Sequence, residues 1–366
     1  MTNVLDQDTV LKALQVVVDP DLHKDIVTLG FVKNLVLDGS RVALTIELTT
    51  PACPVKEQMR EQAVAAVRSL PGVTEVDVQM TANVRSVSMP ETGRTPLPGV
   101  KNVIAVGAGK GGVGKTTVAV NLALALAQYG SRVGILDGDI YGPNVPIMLG
   151  LQTQLGTDGK RIVPAEKYGL QVMSIGFLTS SDAPVIWRGP MLHGAIQQFF
   201  REVAWQDLDY LIIDMPPGTG DVALSLSQTV PVVGSIVVTT PQKVSLADSR
   251  RAVRMYQKLN IPTLGIVENM SYHTCQNCDH ETELFGHGGG EKLAETMKVP
   301  FLGYLPVYQP IREGSDSGVP LVKSEPASTV TRAFLTVAER TAAQGAIAAH
   351  NVAMANKVKI PLVPVR

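Results

Sequence analysis

Cysteine is scarce, with three in 366 residues. That is too few for the disulfide framework of a small secreted domain. Aromatic residues make up only 5% of the chain, which disfavours a stacking platform for single-stranded nucleic acid. Neither sign of charge is in excess, with 32 Lys+Arg against 33 Asp+Glu. Neither the first 90 residues nor the remainder departs far from neutrality, so nucleic acid and anionic lipid are not expected as partners. No apolar run approaches the roughly 18 residues of a membrane span. The stretch Met1–Asp8 has neither the basic nor the apolar region of an export signal, and the expected location is the cytoplasm.

What is present reads as globular. Hydrophobic residues make up 45% and charged residues 18%, and the length fits two or three domains. Residues 8–18 carry apolar positions at helical spacing, closed by Asp19-Pro20. Phe31–Leu37 and Val42–Leu48 alternate as strands around an Asp38-Gly39 turn. A helix is expected from Pro54 to about Leu70 and a strand over Val73–Met80. Residues 1–85 are thus a small α+β domain. Residues 86–100, with three prolines and two glycines, read as a linker.

Beyond it, Val/Ile-rich runs alternate with helical patterns. Strands are expected at Val103–Val106, Val133–Leu136, Leu170–Ile175, Leu211–Ile213, Ser235–Val238, Thr263–Val267 and Phe301–Leu305. Helices are expected at Thr116–Gln128, Met191–Val203, Asp221–Gln228, Ser245–Lys258, Gly289–Met297 and Ala327–Ala346. Continuous apolar strands alternating with helices predict an α/β fold, a doubly wound and mostly parallel sheet over 101–347. Residues 348–366 are expected to form a C-terminal tail, with prolines at 361 and 364.

The strongest signal is Gly109-Lys110-Gly111-Gly112-Val113-Gly114-Lys115-Thr116-Thr117, a phosphate-binding P-loop between an expected strand and helix. Glycines let successive backbone N–H groups face phosphate oxygens, and the helix N-terminus adds positive potential. Lys115 is expected to reach the β- and γ-phosphates of ATP, and the Thr116 hydroxyl to ligate Mg²⁺. Asp137 and Asp139 follow one apolar strand and Asp214 ends another. The Asp214 carboxylate, at that sheet edge, can hold Mg²⁺ through water.

Cys275-Gln276-Asn277-Cys278 offers two thiolates where a tetrahedral metal or an Fe–S cluster wants about four ligands. The same pair from a second chain across a two-fold axis completes the set. Mononuclear zinc and a [4Fe–4S] cluster both satisfy that count, and spacing does not separate them. His273, His280 or Cys53 are other completions, and a redox dithiol is a further reading.

The two-lysine loop resembles the deviant-Walker-A ATPases, the group of MinD, ParA and the nitrogenase iron protein. The resemblance implies that Lys110 crosses a dimer interface to the partner's nucleotide. It also implies that Asp139 orients the attacking water and that Asn269 reads the adenine edge. Leu136–Asn144, Asp214–Asp221, Val267–Ser271, the Cys-x-x-Cys and Phe285–Gly290 together resemble the Mrp/ApbC family of iron–sulfur cluster carrier ATPases. Asn144 stands where many members carry Ser. This narrower resemblance implies a homodimer whose Cys275 and Cys278 bridge a labile [4Fe–4S] cluster. The cluster is passed to apo iron–sulfur client proteins, alongside cluster-assembly proteins. Zinc is expected on the same thiolates after purification in air. Residues 1–85 resemble the small domain shared with SufT and PaaD proteins, through Asp19-Pro20-Asp21, Leu29-Gly30 and Thr49–Pro54.

Two other functions compete: a MinD/ParA-like positioning ATPase, and an ATPase whose interface zinc is purely structural. The first lacks a basic amphipathic C-terminal helix. Cys53, just before a helix, is either a thiol activated by the helix N-terminus or a buried structural residue. His193 reads as core or surface, His287 as a flexible-loop residue with an approach to cluster or nucleotide as the alternative reading, and Arg250, Arg251 and Arg254 as a basic helix face that is solvated or at a subunit or client surface.

Overall fold

The computed structural model describes residues 5–86, 96–139, 142–152, 155–159, 161–177, 202–218, 232–275, 277–278 and 280–357. The chain divides into two compact units, Met1–Arg85 and Ser86–Arg366.

The smaller unit has helix α1 (Gln7–Leu14), a short pair β1 (Val18–Asp19) and β2 (Lys24–Asp25), strands β3 (Val32–Asp38) and β4 (Arg41–Leu48), helix α2 (Lys56–Arg68) and strand β5 (Glu75–Ala82). Sheet order is β3-β4-β5, antiparallel then parallel. Alternation in β4 turns Val42, Leu44, Ile46 and Leu48 inward, against Val10, Leu14, Met59, Ala63 and Val67 of the helices. Helix α1 stops earlier than its apolar spacing predicts. Val18 and Asp19 instead pair with Asp25 and Lys24, and the Asp19 carboxylate accepts from the Asp21 and Leu22 N–H groups to make a turn.

The larger unit is built on one sheet. Its strands are β6 (Val100–Ala108), β7 (Val133–Asp137), β10 (Ala165–Lys167), β11 (Leu170–Ser174), β12 (Leu208–Asp214), β13 (Val232–Thr239), β14 (Thr263–Glu268) and β17 (Phe301–Tyr304). Two small hairpins stand outside it: β8 (Thr157–Asp158) with β9 (Arg161–Ile162), and β15 (His273–Thr274) with β16 (Glu281–Thr282). Sheet order is β10-β11-β7-β12-β6-β13-β14-β17. Only the β10–β11 pair is antiparallel. This is the expected doubly wound, mostly parallel arrangement.

The helices are α3 (Lys115–Gln128), α4 (Val145–Met148), α5 (Lys243–Lys258), α6 (Gly289–Met297), α7 (Gln309–Ser317), α8 (Leu321–Ser324) and α9 (Thr329–Lys357). Helix α3 is buried almost all round, from Val118 to Leu126, so its Ala/Leu composition follows packing on every side rather than one stripe. Helix α9 continues through residues 348–357, which the sequence reading placed in the tail. Its Ala-rich run meets no proline before Pro361. The expected helix Asp221–Gln228, most of Met191–Val203, and the linker residues 87–95 lie outside the described residues. So does the tail beyond 357. Among the described residues no helix is long and apolar enough to cross a membrane.

Candidate functional site

Parallel register lines up the carboxyl ends of the central strands. Ser174 of β11 pairs with Asp137 of β7, Asp137 with Asp214 of β12, and Asp214 with Val106 of β6. Beyond β6 the chain turns through Gly109–Gly114 into α3. Gly112 and Gly114 take left-handed φ values of 80° and 79°, which side chains rarely adopt. A Cβ on Gly109 would fall inside the Asp248 backbone of α5, whereas Gly111 has open space. Lys110 is half-buried and Val113 is buried.

Lys115 opens α3 and turns back under the loop. Its Nζ donates to Asp214 Oδ1 at 2.6 Å, and Thr116 Oγ1 donates to Asp214 Oδ2 at 2.7 Å. Asp139 Oδ2 lies 3.9 Å from the same ammonium. The sequence-predicted residues Lys115, Thr116, Asp139 and Asp214 thus converge. Burial lifts the Asp214 carboxyl above the usual carboxylate range, while Lys115 and Thr116 pull the other way. Asp137 is pushed up to about 7, first by burial and then by the charge of Asp214. It accepts from Asp139 N at 3.2 Å, Val145 N at 3.2 Å and Ser174 Oγ at 3.1 Å. Asp137 therefore ties down the backbone at both Asp139 and Val145. Ser174 carried no sequence signal, since its neighbour is set by strand order alone.

The donor set and cradle fit a nucleotide triphosphate with a divalent cation. The Gly-rich turn leaves backbone room, and a lysine and a hydroxyl already sit on an anionic oxygen pair. Thr117, next in the motif, gives its carbonyl to Asn121 Nδ2 at 2.9 Å.

Asn269 follows β14 and approaches the loop from the other side. Its Nδ2 donates to Val113 O at 2.8 Å, and its side chain packs where a Cβ on Gly114 would be. Three residues after Met270 the β15–β16 hairpin begins, and Cys275 N bonds back to His280 O at 3.0 Å across it. Cys275 is half-buried and Cys278 exposed, and no cysteine of the chain is in a disulfide. Among the described residues, no three His, Cys, Asp or Glu side chains are gathered closely enough to hold a metal ion. Cys53 is half-buried before α2 in the smaller unit.

Sequence reasoning placed Glu268 in the Val267–Ser271 motif but gave it no role. It closes an apolar strand as Asp214 does and is fully buried. Its carboxylate accepts from Ser271 Oγ at 2.5 Å, Gly288 N at 2.9 Å and Gly290 N. The signal available was an acid ending a Val/Ile strand, followed by a Gly-rich turn at 286–290.

A glycine loop between a buried parallel strand and a helix, its lysine and threonine on a carboxylate from the next strand, defines a P-loop NTPase. Residues 99–342 match the family model described as NUBPL iron-transfer P-loop NTPase, of the ParA group, and residues 7–78 match that of an iron–sulfur cluster assembly protein family. An iron–sulfur cluster carrier protein of Synechocystis is 48% identical over 94% of this chain and 99% of its own. One from Escherichia coli K12 is 47% identical over 79% of this chain and 78% of its own. A nucleotide-binding protein of Archaeoglobus fulgidus, solved in complex with ADP, is similar over 65% of this chain and 93% of its own, at 37% identity and a TM-score of 0.57. The chain belongs to the NUBPL iron-transfer P-loop NTPase family, among the iron–sulfur cluster carrier proteins.

Proposed function

We propose that the protein is a homodimeric ATPase that binds [4Fe–4S] clusters and transfers them to apo-proteins. One observation carries the reading. Asn269 is hydrogen-bonded to the phosphate loop, and the hairpin presenting Cys275 and Cys278 starts four residues later. Nucleotide and cluster sites are thereby joined by one short stretch of backbone. Family membership and the relatives' name support the cargo, and the ADP bound by the Archaeoglobus protein supports the nucleotide.

In this reading the backbone N–H groups of Gly109–Gly114 and the Lys115 ammonium hold phosphate oxygens. Thr116 and Asp214 hold Mg²⁺, which when bound neutralises charge on the transferred phosphoryl group. For that, Lys115 and Thr116 exchange their present bonds to Asp214 for bonds to ligand. Asp139, close to Lys115, positions the attacking water. Lys110 reaches the nucleotide of the other copy and neutralises transition-state charge there. Two thiolates are half a cluster site, and the same hairpin from a second copy supplies the other half. The cluster is cargo, and zinc takes its place when it is lost in air. Apo iron–sulfur proteins and cluster-assembly proteins are the partners, and the cytoplasm is the compartment.

The test is anaerobic reconstitution with iron and sulfide, read by absorbance, iron and sulfide content, and mass in solution. The wild type is expected to gain one cluster per dimer, and Cys275→Ala/Cys278→Ala none. Full loading of that variant, or a loaded wild-type monomer, sinks the ligand assignment.

A further inference from the structure

We infer that His287, acting through Ser271 and Glu268, latches the backbone between the phosphate loop and the cysteine hairpin, so that occupancy of the first is felt at the second. His287 is a positioning residue here, since it acts through its contacts with Ser271 and Tyr304. The inference rests on the reading that one segment serves both sites.

The latch follows from hydrogen-bond accounting. Glu268 Oε1 accepts at 2.5 Å from Ser271 Oγ, which spends the only hydroxyl proton of Ser271. Ser271 Oγ also lies 2.7 Å from His287 Nδ1. That contact is a hydrogen bond only if Nδ1 carries the proton and Ser271 accepts. The imidazole is thus oriented with Nδ1–H inward and Nε2 outward. Its ring stacks on Tyr304 with centroids 4.2 Å apart, and the Tyr304 hydroxyl is anchored 2.6 Å from Glu291 Oε2. His287 is therefore held from two directions, by Ser271 after β14 and by Tyr304 of β17, whose hydroxyl is in turn fixed by Glu291 of α6.

The latched segment touches both sites. At one end Asn269 donates to Val113 O, and Met270 lies beside Gly114. Met270 has φ 55°, a left-handed conformation that costs about 1 kcal/mol or more for a non-glycine residue and needs surrounding support. At the other end Ser271 N donates to Leu305 O at 3.0 Å, Val307 N donates to Tyr272 O at 2.6 Å, and His273 bridges to Val307. Cys275 is four residues beyond Ser271. A shift of Val113 on nucleotide binding moves Asn269. Clamped at Ser271, the segment passes that shift on to β15 instead of absorbing it in a loose turn.

Hydrogen exchange over 271–282 in cluster-free, full-length protein, with and without ADP and Mg²⁺, tests this without depending on cluster chemistry. The wild type is expected to exchange at least about fivefold more slowly with nucleotide. In His287→Ala and in Ser271→Ala the nucleotide-dependent difference is expected to fall below about twofold, with ATP KM little changed. His287→Asn, whose amide N–H takes the place of Nδ1–H, is expected to restore it. A wild-type response retained in His287→Ala, or lowered melting temperature with the response intact, overturns the latch, as does a wild type with no response. Failure of the wild type to load cluster refutes the carrier reading and leaves this measurement standing.

Discussion

Lys115 Nζ lies 2.6 Å from Asp214 Oδ1, an ion pair with its lysine 7% exposed and its aspartate not at all. Removing one member of such a pair leaves an uncompensated charge in a dry site. Lys115→Ala is therefore expected to cost about 3 kcal/mol of stability and to lower ATP turnover by about 100-fold or more. Lys115→Met/Asp214→Asn, which removes both charges, is expected to recover most of the stability and none of the turnover. Denaturant titration alongside phosphate release measures both. Unchanged turnover in Lys115→Ala would count against the nucleotide assignment itself.

Asp137 gives the site a pH dependence whose sign is fixed. Its folded pKa, about 7, stands above the ordinary value near 4. Between those limits the folded protein keeps a proton that the unfolded chain has released. Stability therefore falls as pH rises from about 4 to about 7 and levels off above that. Asp137→Asn is expected to be flatter over the same window, the difference reaching at most about 4 kcal/mol. Both tryptophans lie beyond residue 186, so their fluorescence reports on the larger unit alone. Equal slopes for wild type and Asp137→Asn would refute the burial account.

The phosphate loop separates two glycines that look alike in the motif. Gly109 is packed against the backbone of Asp248, which cannot retreat without moving α5. Gly111 has only Pro217 Cβ nearby, at 4.0 Å. Gly109→Ala is expected to cost about 2 kcal/mol or more through overpacking, whereas Gly111→Ala stays within about 0.5 kcal/mol of wild type. Thermal melts of the two variants decide it, and similar losses would mean the loop moves as one body.

Much of this was legible because it is local. The phosphate loop is nine consecutive residues, and the strands bracketing it are continuous apolar runs, so motif and context could be read together. Asp214 stood out as an acid ending such a run. Glu268 had the same signature and lay inside the Val267–Ser271 motif, but its partners Gly288 and Gly290 lie about 20 residues on, so its role depends on the fold. Ser174 was invisible because its contact with Asp137 depends on β11 lying beside β7, which is a matter of sheet order. Helix ends were read less well than helix existence. α1 yields to strand pairing at Val18, and α9 runs on through alanines that no periodicity could bound.

Lys110 is half-buried at the loop, and the proposal that it reaches the partner's nucleotide makes a prediction that a residue acting in its own subunit does not share. Lys110→Ala and Lys115→Ala homodimers are each expected to be nearly inactive. In a mixed dimer, the Lys110→Ala subunit keeps its own Lys115 and receives Lys110 from the Lys115→Ala subunit, which restores one complete site. An equimolar mixture allowed to exchange subunits is then expected to regain about a quarter of wild-type turnover, since half the dimers are mixed and each has one working site. If Lys110 serves its own subunit, every site in the mixture lacks one lysine and activity stays at the level of the parents. Phosphate release before and after exchange, with dimer composition checked by native mass spectrometry, separates the two outcomes.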